Sequence, residues 1–378
     1  MEIAPLSSVA SSCTSGAPQT TEPLRGHVRA LDGLRAVAVG LVMLVHVSNR
    51  RFPGGDVGVD IFFVLSGFLI TSILMRELRE RGSIHLGAFY LRRALRLMPA
   101  LVFMVIGDLL MTRFMGAGSA HPVWDAVAAL TYTMDVLRAS SNYHSWTTLG
   151  HTWSLAVEEQ FYLLWPWLLL GLTRLGARWR LPALGGAIVA IALWRTHLLL
   201  TAPDFARVYF GFDARADQLL IGCALSLWLV QHGAARESVG ALARAWPLAV
   251  GLIAVFVLRG APSDPFALSC TMLGIGLCAA VVILSLSQRP GSRFGRVLSL
   301  PPLVLLGKWS YGIYLWHFTL LVHLRMDPHL QLKVLASIPL SIAMAALSYH
   351  VVERPFLRLK DRFEPAYRPQ SGRVRVAN

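Results

Sequence analysis

Residues 31–48 read LDGLRAVAVGLVMLVHVS, a run that is apolar enough to cross a bilayer as a helix and yet carries Asp32, Arg35 and His46. Ionisable side chains are costly inside a membrane and usually face the interior of a helix bundle or a water-filled cavity. Arg35 and His46 are eleven residues apart, which on a helix brings them within roughly 20° of one face and about 16 Å apart along the axis. The run therefore predicts a polar path through the protein. Each residue alone also fits the headgroup region, because long or amphipathic side chains extend their polar ends to the membrane surface.

Composition places the chain among membrane proteins. Of its 378 residues, 55% are hydrophobic and 15% are charged, whereas soluble domains carry about 25% charged residues. The formal net charge of +14 is typical of arginine-rich cytoplasmic loops, so we expect no nucleic-acid partner. The four cysteines show no metal-ligand spacing, and we expect no metal site.

Hydropathy predicts an all-α, polytopic membrane helix bundle with about ten transmembrane helices, because one span needs about 20 mostly apolar residues. The candidate spans are residues 31–48, 57–75, 94–112, 155–173, 182–200, 216–231, 245–258, 266–287, 303–323 and 333–352. A further apolar segment, residues 123–137, is interrupted by Asp125 and Asp135. It is too short to cross comfortably, and we expect it to lie on the outer side or to dip into it.

Loop charge orients the spans, because cytoplasmic loops carry an excess of arginine and lysine. If residues 123–137 do not cross, all the basic loops and both termini are cytoplasmic. The multi-pass protein is then expected in the cytoplasmic (inner) membrane. The residues expected toward the outer side are His46, Asp56, Asp60, Glu158 and Glu159, and those expected toward the inner side are Arg35, Arg92, Arg93 and Arg96. The predicted units are a disordered cytoplasmic tail, a membrane domain and a disordered basic cytoplasmic tail, at residues 1–28, 29–360 and 361–378.

The second span contains two candidate residues. It begins GGDVGVDIFFVLSGF at Gly54. Asp60 lies just inside its apolar run and would need a partner there. Ser66 falls at mid-span, where a small residue also allows close helix packing.

An arginine cluster precedes the third span, in the sequence AFYLRRALRLMPALV of residues 88–102. Arg92 and Arg96 are one helical turn apart and share a face, with Arg93 next to them. Guanidinium groups bind phosphate through paired hydrogen bonds, so the cluster is a candidate phosphate clamp. Ordinary anchoring at the cytoplasmic surface explains the same residues.

Carboxylates and aromatic residues mark the fourth and ninth spans. The fourth begins HTWSLAVEEQFY, in which Ser154 is a candidate helix cap, Glu158 a candidate catalytic group and Trp153 a supporting residue. The ninth contains Tyr314 and His317, which are three residues apart and lie on similar faces. A buried histidine that is merely hydrogen-bonded is the simpler explanation of His317.

Together these motifs resemble the acyltransferase-3 family of integral membrane acyltransferases. The resemblance covers residues from about 29 to about 360 and rests on LDGLRAVAVGLVMLVHV, GGDVGVDIFFVLSGFLIT, FYLRRALRLMPAL, HTWSLAVEEQFYLLWP, KWSYGIYLWH and a final VERPF. It implies an O-acyltransferase whose partners are the lipid bilayer, cytoplasmic acyl-CoA as the donor, commonly acetyl-CoA, and a carbohydrate acceptor outside the cytoplasm. The acceptor would be a cell-envelope glycan, an exopolysaccharide or a lipid-linked precursor, with a small natural product such as a macrolide as the alternative.

The resemblance also implies roles for particular residues. Arg35 and His46 match the Arg–His pair on the family's first helix, and Glu158 matches its carboxylate. The family's cytoplasmic-side arginine motif corresponds to Arg92, Arg93 and Arg96. Some members append an extracellular hydrolase-like domain of the SGNH type. This chain stops soon after the last span, so we expect that second step to be absent or to belong to a separate SGNH-type partner.

Acyl transfer from a thioester to a hydroxyl needs a base or acyl carrier, a group that orients it, and a site for the CoA phosphates. His46 suits either first role, because imidazole titrates near neutral pH, and Glu158 could orient it or act as the base itself. Arg35 could guide the pantetheine arm or polarise the thioester carbonyl. The competing hypothesis is a proton-coupled transporter, which would also explain ionisable residues in the membrane. Many transporters contain inverted repeats, and this sequence shows none.

Overall fold

The computed structural model describes residues 27–115, 119–140, 147–201, 204–232, 237–325 and 331–361. The two predicted tails lie outside these residues except at their inner edges. All regular secondary structure in the described residues is helical. The prediction of an all-α fold is therefore confirmed.

Every predicted span lies on one helix or on two consecutive helical segments. The helices are α1 Arg29–Val47, α2 Val57–Arg81, α3 Leu86–Met115, α4 Pro122–Leu130, α5 Met134–Ala139, α6 Trp153–Arg174, α7 Ala177–Thr201, α8 Phe205–Phe210, α9 Phe212–His232, α10 Glu237–Arg244, α11 Trp246–Arg259, α12 Pro265–Gln288, α13 Arg293–Leu298, α14 Pro301–Lys308, α15 Ser310–Arg325, α16 Gln331–Leu347 and α17 Arg354–Asp361. A 3₁₀ turn, Gly150–Thr152, precedes α6, and a π-helical segment, Ser348–Glu353, joins α16 to α17.

Seven helices within the described residues are long and apolar enough to cross a membrane. They are α1, α2, α3, α7, α12 and the runs Glu237–Arg259 and Ala336–Leu359. Helices α6, α9 and α15 coincide with the three remaining predicted spans, but α6 and α9 carry ionisable residues and α15 has only 16 residues. The chain is thus a multi-pass membrane protein, and the count of ten spans and the side of the termini stay predictions.

The apolar segment at residues 123–137 forms two short helices, α4 and α5. Tyr132, which lies between them, has a positive φ of 54°, a conformation that interrupts a right-handed helix. The longer helix has nine residues and is therefore about 14 Å long, less than half the thickness of the hydrocarbon layer. Neither helix is long enough to cross the membrane by itself, and the predicted peripheral position of this segment stays a prediction.

Helices α2 and α9 approach each other closely at the centre of the bundle. Gly67 and Gly222 allow this approach, because a Cβ atom on either would collide with the backbone of the facing helix. One turn beyond, the hydroxyl groups of Ser72 and Ser226 are hydrogen-bonded at 2.8 Å. Small residues at such a crossing let two membrane helices gain close van der Waals contact. This contact fixes the position of α2, which also lines the candidate site.

Replacing Gly67 by valine is expected to destabilise the protein by about 3 kcal/mol or more, because the added side chain overlaps backbone atoms that cannot rotate away. Gly185→Val is the matched control, since a Cβ atom at that α7 position meets nothing within 4 Å. The measurement is the thermal unfolding midpoint of each purified variant in detergent. Equal midpoints for the two variants would contradict the close packing of α2 on α9.

Candidate active site

A cavity of about 300 Å³ lies between α1, α2, α3, α6 and α15. Its lining brings together residues from five separate parts of the sequence. Six of the predicted site residues line it: Arg35, Ser66, Arg93, Arg96, Glu158 and Tyr314. Basic, acidic and hydroxyl groups thus line one cavity within an apolar bundle.

Two hydroxyl contacts organise the α6 side of the cavity. Ser66 donates a hydrogen bond of 2.8 Å to the Glu158 carboxylate. Ser154 lies one helical turn before Glu158 on the same face, and its hydroxyl is 2.6 Å from the Tyr314 hydroxyl. The prediction that Ser154 caps α6 is wrong, because the capping position belongs to Thr152, which makes no side-chain cap.

The adjacent arginines of α3 have different environments. Arg93 donates to Glu159 at 2.9 Å, and its guanidinium lies 3.4 Å from the centre of the Tyr162 ring. Arg96 lies one turn later on the same side of α3 and is exposed. Arg92 is 3.5 Å from the Glu77 carboxylate and is not among the residues that line the cavity. A phosphate clamp in this cavity would therefore consist of Arg93 and Arg96.

The expectation that Glu158 and Glu159 lie toward the opposite side of the membrane from Arg93 is wrong, and the side on which they lie stays a prediction. Glu159 is bonded directly to Arg93, and Glu158 lines the same cavity as Arg93. Arg93 lies about two turns inside α3, and the two glutamates lie about one and a half turns inside α6. The charges meet within the bundle because pairing offsets part of the cost of removing them from water.

Arg35 closes another side of the cavity. It lies 3.2 Å from the Asp32 carboxylate, three residues earlier on α1, and the other oxygen of Asp32 is 2.8 Å from the His27 ring. His27 also lines the cavity. The carboxylate of Asp32 thus holds two basic side chains at this edge.

Three histidines, His46, His151 and His317, lie next to the cavity and are called the histidine cluster. The ring centres of His46 and His317 are 5.2 Å apart, and those of His151 and His317 are 5.5 Å apart. Tyr314 joins the cluster to the cavity, because its ring centre is 5.3 Å from that of His317 and 5.7 Å from that of His151. The cavity and the cluster are thus separated by a single aromatic side chain.

Hydrogen bonds to backbone carbonyls fix the protonated nitrogen of each ring in the histidine cluster. His46 and His317 donate from Nδ1, at 2.7 Å and 2.5 Å, and His151 donates from Nε2 at 2.9 Å. A carbonyl can only accept, so in the neutral form the lone pair of His46 is on Nε2. Burial and the neighbouring His46 lower the pKa of His151 to about 3, which keeps this ring neutral.

His151 was not predicted as a site residue. Its position as the first residue of the HTWSLAVEEQ motif was the one sequence feature that could have indicated it as a site residue. It lies on the 3₁₀ turn that precedes α6, outside the predicted span. Its contact with the cluster depends on how α6 packs against α15, which local sequence patterns do not reveal.

Asp60 forms a buried ion pair, as its position in an apolar run required. Its carboxylate accepts a 2.7 Å bond from Arg215 of α9, and both side chains are nearly inaccessible to solvent. The Arg215 guanidinium lies 5.8 Å from the centre of the Trp153 ring, which is itself buried. Asp60 and Trp153 therefore lie in the packed interior beside the cavity, and they contact the site only through their neighbours.

A second buried pair joins α7 to α9. Arg195 donates to Asp217 at 2.8 Å, and both side chains are fully buried. Arg195 also bonds to the hydroxyl and the backbone carbonyl of Ser269 on α12. The sequence analysis missed this pair, although the run FDARADQLL at the start of α9 contains three charged residues within five positions, one of which is Asp217.

Within the described residues, no group of three or more histidine, cysteine, aspartate or glutamate side chains is arranged to hold a metal ion.

Comparison with known proteins identifies one family. The acyltransferase-3 family model, described as an acyltransferase domain, matches residues 28–351. OatA of Listeria monocytogenes, named a peptidoglycan O-acetyltransferase, is 32% identical over 361 residues, which cover 89% of this chain and 57% of OatA. A candidate peptidoglycan O-acetyltransferase of Bacillus subtilis, YrhL, is 35% identical over 351 residues, covering 87% of this chain and 55% of YrhL.

The chain spans little more than half the length of these curated relatives. A candidate O-acetyltransferase of Staphylococcus aureus shows the same relation, with 32% identity over 383 residues that cover 93% of this chain and 61% of the relative. No solved structure matches the chain.

Removing one partner of the Asp60–Arg215 pair is expected to lower the free energy of unfolding by about 3–5 kcal/mol, because an unpaired charge remains buried. Arg215→Met should show this loss. The double variant Asp60→Leu with Arg215→Met should recover most of it. The measurement is thermal unfolding of wild type, Arg215→Met and the double variant in detergent. A double variant that is less stable than Arg215→Met would show that the unpaired Asp60 charge does not cause the loss of stability.

Proposed function

Because the chain belongs to the acyltransferase-3 family, we propose that it is a membrane-embedded O-acetyltransferase that moves an acetyl group from acetyl-CoA to a hydroxyl of a cell-envelope glycan. The observation that supports this best is the cavity that combines Arg93 and Arg96 with Glu158 and adjoins the histidine cluster through Tyr314. The acceptor class follows the names of the relatives, of which two refer to peptidoglycan.

The cavity is the proposed donor site. Guanidinium groups bind phosphates more tightly than neutral donors do, because the hydrogen bonds are charge-assisted. Arg93 is held by Glu159 and by the Tyr162 ring, so it is already oriented before a ligand binds. Arg96 and Arg35 add positive charge to the same lining. We assign the CoA phosphates to this arginine side and the thioester to the side formed by Ser154 and Tyr314.

The reaction forms one ester and releases one thiol. The acceptor hydroxyl oxygen attacks the carbonyl carbon of the thioester, and the carbon–sulfur bond breaks. The hydroxyl proton passes to a base and then to the sulfur, which leaves as the thiol of CoA. The polar groups around the carbonyl would stabilise the negative charge that develops on its oxygen.

His46 is the proposed base. Its Nδ1–H bond to a backbone carbonyl orients the ring and leaves the basic lone pair on Nε2. His317 supports it through ring contact at 5.2 Å. Glu158, which accepts from Ser66, would be the negative charge that balances the arginines and the proton received by the imidazole.

The acceptor is proposed to approach from the side of the histidine cluster. Along α6, Ser154 lies one turn nearer to His151 than Glu158 does, so the groups assigned to the thioester are those closest to the cluster. A hydroxyl positioned near Tyr314 would be adjacent to both the thioester and the imidazoles. Donor and acceptor would then enter from opposite ends of one polar path.

The matched arginines of α3 test the donor site. Arg96→Gln is expected to raise the KM for acetyl-CoA by about tenfold or more, because a hydrogen bond to a charged group contributes about 1.5–3 kcal/mol. Arg92→Gln is the control, since Arg92 is paired with Glu77 away from the cavity, and its KM should change less than threefold. The measurement is thiol release from acetyl-CoA by purified protein with peptidoglycan fragments as acceptor.

Equal KM values for wild type and Arg96→Gln would exclude this cavity as the phosphate site. Failure of the wild-type protein to release thiol with any glycan acceptor would instead argue against acetyl-CoA as the donor.

Replacing His46 by alanine is expected to lower kcat by about 10²- to 10⁴-fold, the usual contribution of a positioned general base. The KM for acetyl-CoA should stay within threefold of wild type, because His46 is not among the residues that line the cavity. The same thiol-release assay separates the two constants. A wild-type burst of thiol in the absence of acceptor would contradict the base role and indicate an acyl-histidine intermediate.

A further inference from the structure

A second cavity, of about 670 Å³, lies at the adjoining ends of α2, α7 and α9. We call it the basic cavity, because its ionisable lining residues are Arg79, Arg178, Arg180 and His232, and none of its lining residues is acidic. The functional site described above does not use any of these side chains. Three arginines around one volume favour an anionic ligand.

Two of the arginines are held in place by the ends of neighbouring helices. Arg79 donates to the backbone carbonyl of Val230, at 2.8 Å. Arg180 donates to the carbonyls of Leu175 and Thr173, at 3.2 Å and 2.8 Å. A guanidinium has five N–H donors, and these bonds use one donor of Arg79 and two of Arg180. The remaining donors are therefore available around a volume whose walls are already ordered.

The start of α7 adds to the positive potential of the basic cavity. This 25-residue helix begins at Ala177, which is one of the lining residues. The first backbone N–H groups of a helix have no partner within it, and the helix dipole makes this end attractive to anions. Helix geometry and side-chain charge thus favour the same kind of ligand.

The basic cavity is not an extension of the cavity proposed for acetyl-CoA. On α2, the residues that line the first cavity include Ser66, Ile70 and Ile73, whereas Met75 and Arg79 line the basic cavity. At about 100° per residue, the two sets lie roughly 160° apart around the helix. Helix α2 therefore separates the two volumes, which argues against one CoA molecule occupying both.

The residues around the basic cavity are of the kinds found where a protein meets the membrane surface. Next to the lining arginines, the Trp179 side chain is 57% exposed, and farther along α7 Val189 and Leu193 are 53% and 63% exposed. Tryptophan is enriched where the headgroups meet the hydrocarbon. A ligand with a charged head at the start of α7 would thus have an apolar helix surface beside its tail.

We propose that the basic cavity binds the phosphate headgroup of an anionic phospholipid, whose acyl chains lie against α7. Arginine suits this ligand because its planar group pairs with two phosphate oxygens. Basic pockets between transmembrane helices are a known way to recognise acidic headgroups. This site is independent of the acyl-transfer chemistry.

Native mass spectrometry of the full chain in detergent tests the proposal. The probes are phosphatidylglycerol and phosphatidylcholine with identical acyl chains. Wild type is expected to bind phosphatidylglycerol at least tenfold more tightly. The double variant Arg79→Gln with Arg178→Gln should lose this preference. The control is Arg293→Gln with Arg296→Gln, which removes two exposed arginines of α13 that do not line the cavity and should keep the preference.

Arg178→Gln alone is the second variant, because Arg79 bonds to the backbone and its loss could disturb folding. The Arg178 guanidinium lies over its neighbour Trp179 at 5.6 Å, and its replacement should weaken phosphatidylglycerol binding at least threefold with an unchanged unfolding midpoint. Equal loss in the α13 control would overturn the proposal in favour of general charge attraction. Displacement of the lipid by adenosine 3′,5′-bisphosphate would overturn it in favour of a nucleotide site.

Discussion

The ion pair between Arg93 and Glu159 joins α3 to α6, two of the helices that form the cavity. Removing a charge from water costs several kcal/mol in a protein interior, and only close pairing offsets that cost. The pair joins α3 to α6 at 2.9 Å, and the Tyr162 ring covers the same guanidinium. As a result Arg96, one turn along α3, and Glu158, adjacent on α6, both face the cavity. The charges that are costly to bury are thus also the ones that position the site.

The cost of burying an unpaired charge also determines how the helices behind α2 pack. Asp60 binds Arg215, and Arg195 binds Asp217, so two buried pairs connect α2, α7 and α9. The close approach of Gly67 to the backbone of α9 sets the distance between α2 and α9. One side of α2 is therefore held by α9, and its other side is free to line the cavity with Ser66. On the α2 side, the cavity wall is thus held in place by residues that do not line the cavity.

The sequence was informative where the signal is local. The eleven-residue spacing placed Arg35 and His46 on one face of a helix, and the apolar runs correctly predicted the seven helices that are long and apolar enough to cross a membrane. It was uninformative where a role depends on a distant partner. Arg92 and Arg93 are adjacent and chemically identical, yet one pairs with Glu77 and the other with Glu159. Arg215 is 155 residues from Asp60 in the sequence, and helical periodicity contains no information about such a pair.

Electrostatic repulsion limits the number of protons that the histidine cluster can hold, and this limit suits the proposed chemistry. Two protonated imidazoles about 5 Å apart repel each other by about 3 kcal/mol at an effective dielectric constant of 20. His151 is neutral because burial and the neighbouring His46 lower its pKa to about 3. Each ring is already fixed by a bond to a backbone carbonyl, so a transferred proton finds an oriented acceptor nitrogen. The cluster can therefore hold one extra proton at a time, which is the number that acylation of one hydroxyl releases.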